Sequence, residues 1–399
     1  MQHAFARGLL PELGPATPIV AAGKAAWLMA QAIGERGASG VIAGPRVGAS
    51  DPPPGFQWYD AGHPYPNDAS VAAGRHALSI AAECRQRGET LVVLLSGGAS
   101  AMLVAPSAGL TVEDKQATGR ALMTAGFAID RLNCVRKHLS DVKGGRLAAE
   151  AGRVLTLVIS DVHGPIPNDP SVIGSGPTVP DPTSFREALE IVQQVPAVPG
   201  RVRSHLERGA RGELQETIKP GDRRLEDLRY EILGDRTTAL AGAVRAAESL
   251  NYRVIAVDEA TTGEARDAAR DFVRHAGRAA EGSRRLCMLA AGETTVTVTG
   301  NGKGGRNQEF VLAAVPALAA LERDAVLASV GTDGIDGPTD AGGAIADQNT
   351  LARARDAQFD WYSTLTNNDA YHFFEPLGDL IAWGPTGTNV GDVQVLLID

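Results

Sequence analysis

Between Ala291 and Gly343 the chain runs AGETTVTVTGNGKGGRNQEF, passes through an apolar helix and strand, and continues as GTDGIDGPTDAGGA. Strand, glycine-rich turn, helix, strand and second glycine-rich turn in that order predict an α/β layer in which two loops reach the same end of a parallel sheet. Glycine permits close approach that a Cβ forbids, so bare backbone amides are expected at that end. Few side chains in the stretch can act on an anion: Arg306, Lys303, Glu293, and the carboxylates Asp333, Asp336 and Asp340. Such a mixture suits a phosphorylated or carboxylated ligand accompanied by a divalent ion.

The same alternation starts at the N-terminal end. PIVAAGKAAWLMAQAIGERG reads as an apolar strand, a turn at Gly23, and a helix with Ala26, Trp27, Met29, Ala30 and Ile33 at helical spacing. Lys24 then lies at a strand-to-helix junction, beside amides that can hold phosphate oxygens, although a solvated lysine in the turn fits the spacing equally well. A proline-rich loop containing His63 and Tyr65 leads to a helix expected from about Ala69 to Arg87 and closed by Gly88. A lone loop histidine such as His63 is more often structural than functional. TLVVLLSGGASAML is a buried strand entering Ser96, Gly97, Gly98 and Ser100 at a helix start. These small residues let the backbone close on an anion, without the spacing of a Walker A loop. CVRKHLSDVKGGRLAAEAG then gathers Arg136, Lys137, His138, Lys143 and Arg146 into a positive patch, and the pair Gly144 and Gly145 inside it predicts close backbone approach.

Asp161 follows the strand RVLTLVIS, placed either to hold a metal ion or substrate hydroxyl or to cap its turn. Helices from about Ser184 to Val195 and from Arg201 to Arg208 precede GELQETIKPGDRRLEDLRY, where hydrophobic periodicity fades. Domains are therefore expected over 1–228 and 229–399, with a cleft between them. At 399 residues and 44% hydrophobic content, two α/β domains are favoured over one. A net charge of −9 without a Lys/Arg block gives no footprint for nucleic acid or an anionic membrane. Cys84, Cys134 and Cys287 are scattered and odd in number, which argues against a disulfide framework or zinc cluster and for a reducing cytoplasm. No apolar run reaches about eighteen residues and the first residues lack a signal-peptide pattern, so a soluble protein is expected.

The motifs LLSGGASAML, NCVRKHLSDVKGGRLA, SDV with SVIGSGPTVPDPT, ILGD, TTGEARD, GETTVTVTGNGKGGRNQEF, GTDGIDGPTDAGGA, NNDAY and GPTGTNVGD resemble, in order, those of the glycerate 2-kinases with a C-terminal MOFRL domain. The resemblance covers the chain from Val20 onward. It implies a Rossmann-like N-terminal domain, a smaller α/β MOFRL domain, an interdomain active site, and ATP with a divalent ion, usually Mg2+, phosphorylating the 2-hydroxyl of D-glycerate. Lys24 and Arg306 are implied to be catalytic, and Asp161, Asp333 and Asn389 to position metal or substrate, the two acids as metal ligands. Substrate and phosphate contacts are expected from Ser96, Gly97, Gly98, Ser100, Arg136, Lys143 and Asn389, and nucleotide contacts from Gly292, Glu293, Thr294, Gly302, Gly304 and Gly305. A monomer or homodimer acting on small molecules is expected. The chain departs from the family pattern in a short segment before Pro18, in Ala99 and Ala291 where glycines are usual, and in a longer HGPIPNDP loop.

Two other readings compete. Gly300, Gly302 and Gly305 match G-x-G-x-x-G, and members of the family are often labelled hydroxypyruvate reductases, so an NAD(P)H-dependent reductase is the alternative. A dinucleotide site should place an acid at the end of the next strand, about 20 residues on, whereas Asp333 comes later and inside its own glycine loop. A non-catalytic sensor of phosphorylated sugars would keep the anion loops without needing Lys24, Arg306 and the acids together.

Overall fold

The computed structural model describes residues 17–34, 37–49, 51–281 and 285–399. The short segment before Pro18 thus lies outside the described residues, save Thr17. Two compact units are present, Met1–Leu233 and Gly234–Asp399.

The first unit is built on β1 (Pro18–Ala22), β2 (Ser39–Ala43), β3 (Phe56–Tyr59), β4 (Thr90–Leu95), β5 (Arg153–Ile159) and β6 (Leu228–Gly234), in the spatial order β3-β2-β1-β4-β5-β6. β1 pairs in parallel with both β2 and β4, Val20 lying opposite Val41 and Val93. The chain therefore progresses outward in opposite directions from β1 and β4, and the carboxyl ends of these two strands form a topological switch point. Both sheet faces are covered, which is why the strands read as continuous apolar runs. On one face the helix Ala26–Gly34 buries Trp27, Met29 and Ile33 against Ile19, Ile42 and Leu94. On the other, Ala73, Ala77 and Ala81 of the helix Asp68–Arg87 pack on Val20, Val41 and Val93. That helix begins with an Asn67–Ser70 capping box and ends at Gly88 in the left-handed conformation, φ 67°.

The second unit holds β7 (Arg253–Ala256), β8 (Leu286–Gly292), β9 (Ala325–Gly331), β10 (Gly343–Asp347), β11 (Leu380–Ile381) and β12 (Asp392–Ile398), ordered β11-β10-β9-β12-β8-β7. Here the expected parallel sheet gives way to a mixed one. The last strand, β12, inserts between β8 and β9 and runs antiparallel to both, with Asp392 opposite Gly292 and Gly331. β8 and β9 consequently point the same way without touching, so the loops after them still reach one end. The alternating TTVTVT run is not a strand. Its Thr295 amide donates to Gly263 (2.8 Å) and its Thr297 amide to the Glu264 carboxylate (3.1 Å), which fixes it as a loop beside the helix Ala265–Ala279. The helix Arg306–Ala319 is buried nearly all round, its Phe310, Val311, Ala314 and Leu318 fully enclosed. It packs against Ala265, Ala269, Phe272, Val273 and Ala276 of the neighbouring helix, a stripe at helical spacing.

Candidate active site

At the switch point of the first unit, β1 runs into Gly23 and Lys24, and β4 into Ser96, Gly97 and Gly98. Gly23 has φ +117°, and a Cβ there would fall 2.3 Å from the Ser96 Oγ. Only glycine allows that approach. The Lys24 amide donates to the Gly97 carbonyl (2.9 Å) and the Ala25 amide to Ser96 Oγ (2.9 Å), so the two turns form one hydrogen-bonded piece. The amides expected to face a phosphate at 24 and 25 are thereby spent on the neighbouring loop. Gly98, φ +84°, turns the chain into the short helix Ala99–Met102, where Ala99 is unstrained in place of the usual glycine. The imidazole of His63 packs on Gly98, within 3.0 Å of where a Cβ would lie, which brings into this loop a residue that sequence reasoning favoured as structural.

Ser100 is joined to the loop after β5. Its Oγ lies 2.8 Å from Ser175 Oγ, which in turn donates to Asn133 Oδ1 (2.9 Å). Asn133 is buried, and its Nδ2 has no partner among the described residues. Lys143, 1% exposed, donates from Nζ to the Gly174 carbonyl (3.1 Å). Burial holds its ammonium well below the usual lysine range, and Lys115 and Arg136 depress it further. Lys115 is pushed down to about 7 by burial, with Arg136 adding repulsion, and the Arg136 guanidinium is lowered by burial. The result is a cluster of basic groups in a poorly solvated place, whose charged forms an arriving anion would favour. The rest of the predicted basic patch faces elsewhere: Lys137 pairs with buried Asp181 (3.3 Å), and His138 meets Glu216 (3.1 Å). Gly144 and Gly145 are both left-handed, and their amides donate to the Ser175 and Gly176 carbonyls, so their close approach is to protein backbone. Asp161 stands two residues beyond β5, half-buried.

In the second unit the site grows from the first turn of the helix Arg306–Ala319. Arg306 Nε and Nη2 fork onto Asp392 at 2.6 and 2.9 Å, while Nη1 meets Glu293 Oε1 at 3.0 Å. Burial works against the guanidinium charge, but Asp392, Glu293 and Asp336 hold it above its ordinary value. Asn307 and Gln308 donate their amides to Asp336 Oδ1 (3.0 Å) and Oδ2 (2.8 Å). Buried Glu309 binds Arg266 (2.6 Å) and Asn368 (3.0 Å). The polar residues of RNQE thus tie the helix start to the last strand through Asp392, to the Asp336 loop, and to Arg266 and Asn368. Asp336, 1% exposed, is raised to about 6 by burial, against the pull of those two amides.

The glycine-rich turn is not the bare cradle that its sequence predicts. Gly300, Asn301, Gly302 and Lys303 donate their amides to Asn368, Asn367, Asn367 and Asp369. A Cβ on Gly300, Gly302 or Gly305 would lie 2.3–2.4 Å from Asn367, Asp369 and Asp336 respectively. The G-x-G-x-x-G spacing therefore reflects packing on the 367–369 and 336 loops, and β8 ends at Gly292 without running directly into it. The Gly302 amide, expected to meet a nucleotide, is held by the Asn367 carbonyl, and the dinucleotide fingerprint loses its structural context. Lys303 lies with Nζ 3.6 Å from the centre of the Tyr371 ring.

Of the remaining predicted residues, Gly292 closes β8, Glu293 follows it with its amide donating to the Thr261 carbonyl (2.9 Å), and Thr294 is buried. Asp333 follows β9 and its Oδ1 accepts the Ile335 amide (3.1 Å). Asn389 is buried, its Oδ1 accepting from the Gly391 amide at 3.4 Å. Asp392 was missed by sequence reasoning. The signals available were its place at the end of GPTGTNVGD and a carboxylate heading a strand, DVQVLLI, that is apolar but for Gln394.

A family described as a domain of unknown function (DUF4147) matches residues 12–207, and the MOFRL family matches residues 286–392. The chain is 36% identical to a glycerate 2-kinase of Pyrococcus horikoshii, over 95% of this chain and 87% of that one. It is also 36% identical to a D-glycerate 2-kinase of Thermotoga maritima, over 95% and 90%. The fold is similar to the crystal structure of glycerate kinase from Thermotoga maritima, with a TM-score of 0.86 and 34% identity, covering 99% of this chain and 94% of that one.

Proposed function

The chain belongs to the glycerate 2-kinase family, and on that premise we propose that it catalyses ATP-dependent phosphorylation of D-glycerate at the 2-hydroxyl, giving 2-phosphoglycerate and ADP. The observation that carries this reading is Arg306, clamped by a buried carboxylate at the head of a helix whose first turn is the family's own motif. Phosphoryl transfer needs in-line positioning and positive charge on the equatorial oxygens more than it needs covalent chemistry. Lys24 and Arg306 are the proposed sources of that charge. The 96–100 loop, with Arg136 and Lys143 behind it, is the proposed substrate and phosphate site, together with Asn389. Glu293 and the segment around it are the proposed nucleotide contacts.

Magnesium is the proposed metal. Among the described residues no three His, Cys, Asp or Glu side chains gather as a metal cage. That fits an ion which keeps waters and arrives on the nucleotide phosphates, needing only one or two carboxylates. Asp161 and Asp333 are the proposed ligands, and the ion would neutralise charge on the phosphates. No described helix is long and apolar enough to cross a membrane, and a cytoplasmic monomer or homodimer is the proposed state.

The test is a product assay with glycerate, ATP and Mg2+, read by phosphorus NMR, beside a cuvette that follows NADH with hydroxypyruvate. The expected products are 2-phosphoglycerate and ADP, lost on exhaustive EDTA treatment and restored by Mg2+. Formation of 3-phosphoglycerate, or NADH consumption without ADP, would overturn the reading.

A further inference from the structure

Two carboxylates share Arg306, and their surroundings differ sharply. Asp392 is fully buried and takes Nε and Nη2, whereas the Glu293 side chain is 44% exposed and takes only Nη1. Asp392 opens β12 in register with Gly292 and Gly331, so strand backbone holds it on both sides. A Cβ on Gly331 would come 3.0 Å from the Ile335 carbonyl and 3.2 Å from Asp333 Oδ1, with Asp392 Oδ1 at an ordinary contact distance of 3.6 Å, so the neighbouring strand end is tightly packed. Glu293, in contrast, is the first residue beyond β8. A buried fork of this kind fixes both the position and the plane of a guanidinium, because two parallel N–H donors must meet two oxygens. A half-exposed pair is weak and readily exchanged.

We infer that Asp392 is a positioning residue that locks Arg306 with Nη1 held outside the fork, and that Glu293 occupies Nη1 until an anionic oxygen of a substrate replaces it. The inference rests on the assignment of Arg306 to phosphoryl transfer. Glu293 then acts as an internal competitor, which lowers ground-state affinity for the anion. Asp392 acts only through Arg306: an amide in its place accepts one N–H but sets its own NH2 against the other, so the outward edge loses its aim.

The experiment uses the whole protein as wild type, D392N, E293Q, R306A, and the doubles D392N/R306A and E293Q/R306A, each checked by thermal melting. Steady-state kinetics give kcat and KM for glycerate and ATP, and calorimetry without glycerate gives Kd for ATP. D392N is expected to lower kcat roughly ten- to hundredfold, the scale on which outer partners of an active group act, and to change it less than about twofold once Arg306 is gone. E293Q is expected to tighten one substrate about two- to fivefold, the range of an exposed ion pair, and to lose that effect in R306A. Tightening confined to ATP identifies a phosphate oxygen as the incoming anion, and tightening confined to glycerate identifies its carboxylate; either supports the inference. Unchanged or weaker binding of both substrates in E293Q overturns it, as does a D392N loss that persists undiminished in R306A. If D392N does not fold, D392E replaces it, keeping the charge while displacing the fork. Near-normal kcat in folded R306A would bring down the assignment of Arg306 itself, an outcome separate from the other two.

Discussion

Arg306 illustrates how one residue can be legible while its setting is not. A guanidinium at a helix start beside glycines is a sequence-level signal, since its charge is permanent and its geometry suits phosphate or carboxylate. Its fixed partner, Asp392, lies 86 positions away and meets it through strand register, for which no local pattern exists. The same limit applies to Lys143: the basic run was visible, but only the fold separates it from Lys137 and His138, which turn to Asp181 and Glu216. The geometry makes a substitution test sharp. R306K keeps a charge but offers a point donor that cannot fork onto Asp392 while also reaching outward. We expect R306K to lower kcat about a hundredfold and R306A about a thousandfold or more, in steady-state assays on protein of unchanged circular dichroism. R306K at near wild-type kcat would show that charge alone suffices and that the fork is incidental.

At the scale of the element, the helix Arg306–Ala319 and its glycine-rich lead were legible, and the purpose of the glycines was not. Glycine reads the same whether a ligand or the protein's own backbone comes close, and here Asn367, Asp369 and Asp336 fill the space. Asp336 does the capping that Gly305, the helix N-cap without a side chain, cannot. D336N would set an NH2 group against one of those amide donors and should cost about 1–3 kcal/mol, read as a lower urea midpoint at unchanged slope. The pH dependence has a definite sign. Two amides and the helix dipole favour the carboxylate, but burial outweighs them and raises its pKa from the ordinary 3.8 to about 6. The folded state thus holds the proton more tightly than the unfolded chain does. This group's contribution is complete below the unfolded value and is lost as pH rises through about 6. The stability gap between wild type and D336N should therefore be wider at pH 4.5 than at pH 7, by up to about 1.4 kcal/mol for each pH unit crossed in that window. A gap that narrows toward acid would mean that the buried carboxyl is ionised and that the amides win.

Across the whole molecule, alternating apolar runs and turn residues made most strands and helices readable, because each carries its own period and stop signal. Strand order in the second unit was not readable: β12, the last strand in the chain, lies between β8 and β9, and an antiparallel insertion leaves no mark on the strands it separates. The division of cations between units has a kinetic consequence. Lys24 belongs to the unit Met1–Leu233 and Arg306 to the unit Gly234–Asp399, and the proposed chemistry calls on both charges in one transition state. When two groups stabilise the same developing charge and neither suffices alone, removal of the second has little left to remove. K24A and R306A should each lower kcat by about two to four orders of magnitude, and the double mutant should fall within about tenfold of the poorer single mutant. Both residues lie outside the apolar core, so thermal melting should show folded protein in all three, and that check precedes the rates. Losses that multiply in the double mutant would mean that the two cations serve separate steps, and near-normal kcat in K24A would leave Lys24 as a turn residue whose amide, tied to Gly97, is its whole contribution.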